Sequence, residues 1–295
     1  MLLATHDGAA FLDEQLDSIL AQQGVAVTVF VSDDGSTDGT ATMLEQRAAS
    51  DARLVLLPAG RFGSSWANFY RLLRDVDGDG FDAVAMSDQD DVWMPGRLAT
   101  QVAALADADA VSSDVEAFDE HGRRRLIRKS QPLRALDHVF ESAGPGSTFV
   151  LSPAAVGLVR DVLDADPVAS TVEAHDWLVY AVVRSAGMRW RILDQSLVAY
   201  RQHGANVLGA NVGVRARIDR SGRILRGWYR EQVGRVAEVS ARVAAPAERA
   251  ELETLARAVR GSRIDRMRLA TRAGAFRRRR RDAVALGLLM AVGAF

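Results

Sequence analysis

At 295 residues, with 48 % apolar and 25 % charged side chains, the chain has the length and composition to bury one large core or two ordinary ones, which excludes an intrinsically disordered protein. The absence of cysteine excludes disulfides, zinc–thiolate centres and cysteine nucleophiles, and is compatible with a cytoplasmic protein. A net charge of −1 provides no global field that would draw nucleic acid, although the charge is unevenly spread: aspartates crowd the first two hundred residues and arginines stud the tail from Val214 onward.

Residues 1–4 form a short apolar run, read as a first strand, with no basic segment before it of the kind that opens a signal peptide. Phe11, Leu12, Leu16, Ile19 and Leu20 recur at helical spacing, which predicts a helix over 11–22. Residues 25–31 are β-branched and read as a buried strand. That strand stops at the turn formers Asp33-Asp34-Gly35-Ser36-Thr37-Asp38-Gly39. A helix over 40–47, a strand over 53–57, a helix over 66–74 and a strand over 83–86 follow, and then Ser87-Asp88-Gln89-Asp90-Asp91-Val92-Trp93. This alternation predicts an α/β fold with a mostly parallel sheet flanked by helices, in which ligands sit beyond the carboxyl ends of the strands. Thr5-His6-Asp7, Asp33-Asp34 and Asp88 to Asp90 all fall at such ends.

Further strands are predicted near 110–112, 148–151 and 197–200. From about Gly213 the pattern changes: Ile218, Leu225, Trp228, Val233, Val236, Val239 and Val243 recur at steps near three and four, one apolar helix face. Pro246 opens another helix and Gly261 closes it. The chain is therefore read as a domain over 1–211 followed by a helical, arginine-rich extension over 212–295.

Four clusters carry chemistry. An Asp-x-Asp pair after a strand, Asp88 and Asp90, suits a hard divalent cation such as Mg2+ or Mn2+ that prefers oxygen ligands, although a solvated turn explains the same residues. Asp33 is an acceptor at a strand end, able to read donor groups on a nucleobase or ribose, while Ser36 and Asp38 also suit the cap of the helix that starts near Thr40. In Glu173-Ala174-His175-Asp176-Trp177, a carboxylate beside an imidazole and an indole suits a general base, with a helix N-cap at Asp176 as the competing explanation. In Tyr200-Arg201-Gln202-His203, His203 suits a metal ligand and Arg201 a phosphate contact.

Taken in order, Leu-Leu-Ala-Thr-His-Asp-Gly at 2–8, Ser-Asp-Asp-Gly-Ser-Thr-Asp at 32–38, the 87–93 segment, His175-Asp176-Trp177 and Tyr-Arg-Gln-His-Gly-Ala-Asn-Val at 200–207 resemble family 2 glycosyltransferases of the GT-A fold. More narrowly, they resemble the bacterial rhamnosyltransferase-like branch. The resemblance spans roughly residues 1–211. It implies inverting, metal-dependent transfer of a sugar from a nucleotide-diphosphate donor to a cell-surface glycan or lipid-linked acceptor. It further implies that Thr5, Asp7, Asp33 and Asp88 line the nucleotide, that Asp90 and His203 hold Mg2+ or Mn2+, that Arg201 contacts the diphosphate, and that Asp176 is the catalytic base. His6-Asp7 departs from the Tyr-Asn pair usual at that position.

Outside the resemblance, Arg277, Arg278, Arg279, Arg280 and Arg281 precede the apolar run 283–292. The run is shorter than the about twenty residues a bilayer span requires. The pairing of a positive block with an apolar run suits an anionic membrane surface, so a cytoplasmic protein peripheral to the inner face of the membrane is expected. A sugar-nucleotide pyrophosphorylase would carry a glycine-rich, basic loop after the first strand, which Thr5-His6-Asp7-Gly8-Ala9-Ala10 is not. A nucleotide-sugar binder without transferase activity would lack one of Asp90, Asp176 or His203, and all three are present. A nucleic-acid partner for the tail would call for interleaved aromatics beyond Trp228, Tyr229 and Phe276.

Overall fold

The run Leu2-Leu3-Ala4-Thr5 has no polar alternation, and it becomes an interior strand, β1 (Leu2–Thr5), buried along its whole length. In the computed structural model, which describes residues 1–203 and 227–295, α1 (Leu12–Leu20), β2 (Val29–Asp33), α2 (Thr40–Ser50), β3 (Leu54–Leu56), α3 (Ser65–Asp75) and β4 (Val84–Ser87) follow in the expected alternation. Then come β5 (Val92–Trp93), α4 (Arg97–Ala104), β6 (Ala110–Asp119), β7 (Arg124–Ile127), α5 (Asp137–Phe140), β8 (Val150–Leu151), α6 (Pro153–Ala165), α7 (His175–Ser185) and β9 (Trp190–Gln202).

The strands form one nine-stranded sheet in the order β3-β2-β1-β4-β8-β6-β9-β5, with β7 pairing β6 off that path. Its first four strands are parallel, in register Thr5 with Asp33 and Leu3 with Ser87. β8 is antiparallel to both β4 and β6, and β6 runs parallel to β9. The chain moves outward from β1 to β2 and β3, then returns to place β4 on the other side of β1. That reversal is the topological switch of open α/β sheets, where a crevice opens beyond the strand ends.

Helix α1 buries Leu12, Leu16 and Ile19 at helical spacing into a core shared with Leu3, Val29, Val31 and Val198. Helix α3 begins at Ser64, whose side chain accepts the Ala67 amide at 3.3 Å, and buries Phe69, Leu72 and Leu73. Its buried Asn68 donates to the carbonyls of Thr5 (3.3 Å) and Ser32 (2.9 Å), tying the helix to the ends of β1 and β2.

The chain divides into two compact units. The first, residues 1–130, 144–165 and 189–202, contains the whole sheet. The second comprises 131–143, 166–188 and 203–295. The expected boundary at 211/212 lies outside the described residues, as do Ile218 and Leu225 of the apolar helix pattern. The helical unit is also larger than the C-terminal segment alone, because α5 and α7 join the later helices Trp228–Val243, Pro246–Arg260, Arg263–Arg268, Ala273–Phe276 and Arg280–Ala291. The reason is chemical: Asp137 of α5 is fully buried and needs cations. It receives Arg278 at 2.9 Å and Arg184 at 3.4 Å, with the Tyr180 hydroxyl donating at 2.9 Å. Phe140 stacks on Phe276 at 4.1 Å, and Trp177 on Tyr229 at 5.7 Å.

This packing divides the run Arg277 to Arg281, expected as one positive block for an anionic membrane surface. Arg278 is buried against Asp137 and Glu141, and Arg277 donates to the Tyr229 hydroxyl at 2.8 Å and lies 3.7 Å from Glu141. Arg280 and Arg281 are exposed. No helix among the described residues is long and apolar enough to cross a membrane.

Candidate active site

Because β1, β2 and β4 are parallel neighbours, the loops leaving their carboxyl ends lie side by side, and they are knitted together by side chains. Asp33, half-buried at the end of β2, accepts the Thr5 hydroxyl at 2.8 Å and the amide and hydroxyl of Ser36 at 2.9 and 2.6 Å. Ser36 in turn accepts the Asp7 amide at 2.8 Å, and the Asp7 carboxylate takes the Thr37 amide at 2.6 Å. Asp7 holds a left-handed backbone (φ +46°), a conformation an aspartate tolerates and most residues do not. Asp34 is buried and accepts the amides of Phe62 and Gly63, so that it organises the loop after β3.

Ser36 and Asp38 were expected to cap α2. The N-cap is Gly39, in the left-handed region at φ +100°, with no side-chain cap. Ser36 is committed to Asp33 and Asp7. Asp38 takes the amide and hydroxyl of Thr40 at 3.0 and 2.6 Å and reaches across to the Ala9 amide at 2.9 Å. Burial is the largest single influence and pushes the Asp38 carboxyl up, but these bonds, the Thr40 hydroxyl first among them, together outweigh it and hold the carboxyl below the usual range.

The acidic turn after β4 joins the same array through Gln89, a residue to which sequence reasoning gave no role. Its amide accepts from the His6 nitrogen and donates to the His6 carbonyl, both at 2.7 Å, an exchange that mimics a strand pairing between the two loops. A side chain at Gly8 would occupy the space of the Gln89 amide, which accounts for the glycine there. His6 also bonds through Nδ1 to the Asp34 carbonyl at 2.9 Å.

Asp88 and Asp90 are half-buried and Asp91 is fully buried. Burial, and then the charge of Asp90, push the Asp91 carboxyl up to about 8, against the opposing pull of Ser147, the Arg201 amide and Arg97. Arg97 is itself buried, stacked over Trp93 at 3.5 Å, and bonded to Gln101 at 2.9 Å and to the Ser147 carbonyl. Strand β9 closes the turn from the other side. The Arg201 amide donates to Asp91 at 3.1 Å, and its guanidinium donates to the Asp90 carbonyl at 2.8 Å and to Glu14 at 2.5 Å between the rings of Phe11 and Phe118. Arg201 thus lies beside the acidic turn, with much of its fork engaged by the Asp90 carbonyl and Glu14.

Of the expected site residues, Thr5, Asp7, Asp33, Asp88, Asp90 and Arg201 belong to the first unit, and Asp176 and His203 to the second. Asp176 is not the N-cap of α7. Ala174 is, and Asp176 stands half-buried in the first turn, accepting the Trp177 amide at 2.8 Å. Burial drives the adjacent His175 down to about 3, so its imidazole is neutral at physiological pH and adds no cation beside the carboxylate. Trp177 is anchored by its indole nitrogen to the His138 carbonyl at 3.0 Å, and Glu173 takes the Trp228 indole at 2.7 Å.

Among the described residues no group of three or more His, Asp or Glu side chains is disposed to hold a metal ion. The donor set still fits one kind of cation. Mg2+ and similar hard ions commonly bind through only one or two carboxylates and complete their shell with water and substrate phosphate oxygens, and the half-buried turn offers carboxylates of that kind, Asp90 among them.

The family model described as Glycosyl transferase family 2 matches residues 2–164. A dTDP-rhamnosyl transferase of Shigella flexneri, RfbG, is 34 % identical over 244 residues, 81 % of this chain and 84 % of its own length. An uncharacterized glycosyltransferase of Nostoc sp. is 26 % identical over 219 residues, 70 % of this chain and 65 % of its own length. Among solved structures, residues 1–349 of S. aureus TarS in complex with UDP-GlcNAc align with a TM-score of 0.61 at 14 % identity, covering 99 % of this chain and 87 % of that one. The mannosyltransferase PcManGT of Pyrobaculum calidifontis, in complex with GDP-Man and Mn2+, aligns with a TM-score of 0.53 at 18 % identity, covering 99 % and 84 %.

Proposed function

The chain belongs to glycosyl transferase family 2 and is a glycosyltransferase, and from that premise we propose that it is a metal-dependent inverting enzyme that moves rhamnose from a dTDP donor to a hydroxyl of a glycan or lipid-linked glycan at the cell surface. The observation that carries the reading is the cross-linked set of loops at the sheet's switch point, with acceptors for a nucleoside at Thr5, Asp7 and Asp33 and an acidic turn at Asp88 and Asp90. The similarity to a dTDP-rhamnosyl transferase supports the choice of donor.

In this reading Asp33, held by Thr5 and Ser36, orients the nucleoside, and Asp88 lies nearer the ribose. Asp90, together with His203, would hold Mg2+ or Mn2+, which supplies Lewis-acid stabilisation of the departing diphosphate. Arg201 adds a fixed positive charge beside that turn. Asp176 accepts the proton of the acceptor hydroxyl as its oxygen bonds to the anomeric carbon. The bond from that carbon to the diphosphate oxygen breaks, and its electron pair leaves on the nucleoside diphosphate. One displacement inverts the anomeric centre, the transfer counterpart of inverting hydrolysis.

Purified protein with Mn2+ or Mg2+ is expected to hydrolyse dTDP-rhamnose slowly and in preference to UDP- and GDP-sugars. Asp176→Asn is expected to keep donor affinity while transfer falls at least about 100-fold, the scale of general-base catalysis. Normal turnover by that variant would remove Asp176 from the mechanism, and equal use of all nucleotide sugars would remove the rhamnosyl assignment.

A further inference from the structure

In the helical unit, two helices leave large apolar side chains in water. On the helix Arg280–Ala291, Ala283, Leu286 and Met290 are buried, while Val284 and Leu288, and Val292 just past its end, recur at steps of four along the other face. These three are 55, 63 and 59 % exposed. The helix is apolar on both faces, which an ordinary surface helix is not. On the neighbouring helix Arg263–Arg268, Ile264 and Met267 are 61 and 40 % exposed. Arg263 donates to the Val292 carbonyl at 2.6 Å, joining the second helix to the end of the first helix's exposed row.

Cations surround these side chains. Residues 263–282 carry nine arginines against Asp265 and Asp282. Arg277 and Arg278 turn inward to Glu141 and Asp137, and Arg272 pairs with Glu251. Arg263, Arg268, Arg280 and Arg281 stay exposed. Asp265 bonds the Ser262 amide at 3.0 Å and hydroxyl at 2.7 Å and lies 3.4 Å from Arg268, and Asp282 lies 3.4 Å from Arg281, both exposed pairs that water and salt screen, so the face stays net positive.

We propose that this two-helix face adsorbs to an anionic phospholipid surface, with Val284, Leu288, Val292, Ile264 and Met267 at the acyl boundary and the exposed arginines on lipid phosphates. Charge decides the occupant. A second copy of the same face would set arginine against arginine, and a nucleic acid would leave five apolar side chains wet. An anionic bilayer satisfies both chemistries at once. Each cation near such a surface is worth about a 5-fold gain in partitioning. The helix is too short to span the hydrocarbon, which takes about 20 residues, so the protein lies on the surface. The inference is independent of the donor sugar and of the catalytic assignments.

The full chain is mixed with vesicles of phosphatidylcholine alone, or of phosphatidylcholine with roughly one third phosphatidylglycerol, and sedimented. Wild type is expected to bind the anionic vesicles, to be released by salt, and to ignore the neutral ones. Both Val284→Ser/Leu288→Ser/Val292→Ser and Arg280→Gln/Arg281→Gln are expected to lose at least about 10-fold in partitioning, with unchanged thermal midpoint and donor hydrolysis. Equal binding of wild type and both variants, or equal binding to neutral and anionic vesicles, would overturn the proposal. So would vesicle-free self-association that the triple variant abolishes, since that would make a second copy the occupant.

Discussion

Gln89 is uncharged and sits between two aspartates that attract all the attention in the sequence, yet its amide joins the loop after β1 to the loop after β4. Asp88 and Asp90 flank it, so whatever fixes Gln89 fixes them. Replacing Gln89 by alanine removes both bonds to the His6 backbone and frees the acidic turn without touching a charged group. The expected result is a rise in the apparent donor and Mn2+ KM with a fall of about 10- to 100-fold in kcat/KM, the scale on which small misplacements act. Gln89→Glu keeps the acceptor for the His6 amide and loses the donor to its carbonyl, so it should retain only part of the activity. Steady-state kinetics of the two variants with dTDP-rhamnose checks both expectations. If Gln89→Ala matches wild type, the bridge has no part in positioning the turn.

Among the elements, long periodic segments were legible from residues alone: α1, α2, α3, β1, β3, β4 and the helices at 228–243 and 246–260 follow from apolar spacing, with Pro246 and Gly261 marking the ends of the last, whereas β2 runs over Val29–Asp33 and not over the expected 25–31. Short or distantly paired elements were not. β5 is two residues long and exists because Val92 and Trp93 pair with Ala199 and Val198, more than a hundred residues away. β9 starts at Trp190, well before the apolar stretch that announced it, because its first residues pair with β6 rather than filling a core by themselves. The same limit applied to the site. The aspartates could be read from composition, but Gln89 depends on β1 and β4 being neighbours, and the inward turn of Arg278 depends on Asp137, 141 positions earlier. Local signals do support quantitative expectations. Ser64 caps α3, the helix whose Asn68 braces the ends of β1 and β2, and Ser64→Ala should cost about 1 kcal/mol in urea denaturation.

At the scale of the whole molecule, two buried imidazoles in the helical unit make stability depend on pH. His138 is driven down to about 3 by burial, with the charge of Arg184 adding to it, and His175 to about 3 by burial. Both values lie below the ordinary 6.5, so between about pH 6.5 and 3 each histidine binds a proton in the unfolded chain that it lacks in the folded one and its contribution to stability rises with pH, while Asp91, raised to about 8, contributes with the opposite sign. Lowering the pH from 7.5 to 5.5 should cost about 1 kcal/mol per histidine, read from denaturant midpoints at the two values. His138→Phe keeps an aromatic ring beside Tyr180, which His138 meets edge-on at 6.5 Å, and should flatten the pH slope by about one proton. An unchanged slope in that variant would mean that His138 already titrates normally.

Strand β9 is the last strand of the sheet to be made, and it supplies both the partner of β5 and the arginine that grips Asp90 and Asp91. A nascent chain therefore has the partners that join the loops after β1, β2 and β4 early, but gains the Arg201 bonds to the acidic turn only when synthesis passes residue 202. The last contacts of that turn are thus the latest part of the sheet to form, and they come from a strand more than a hundred residues further along the chain.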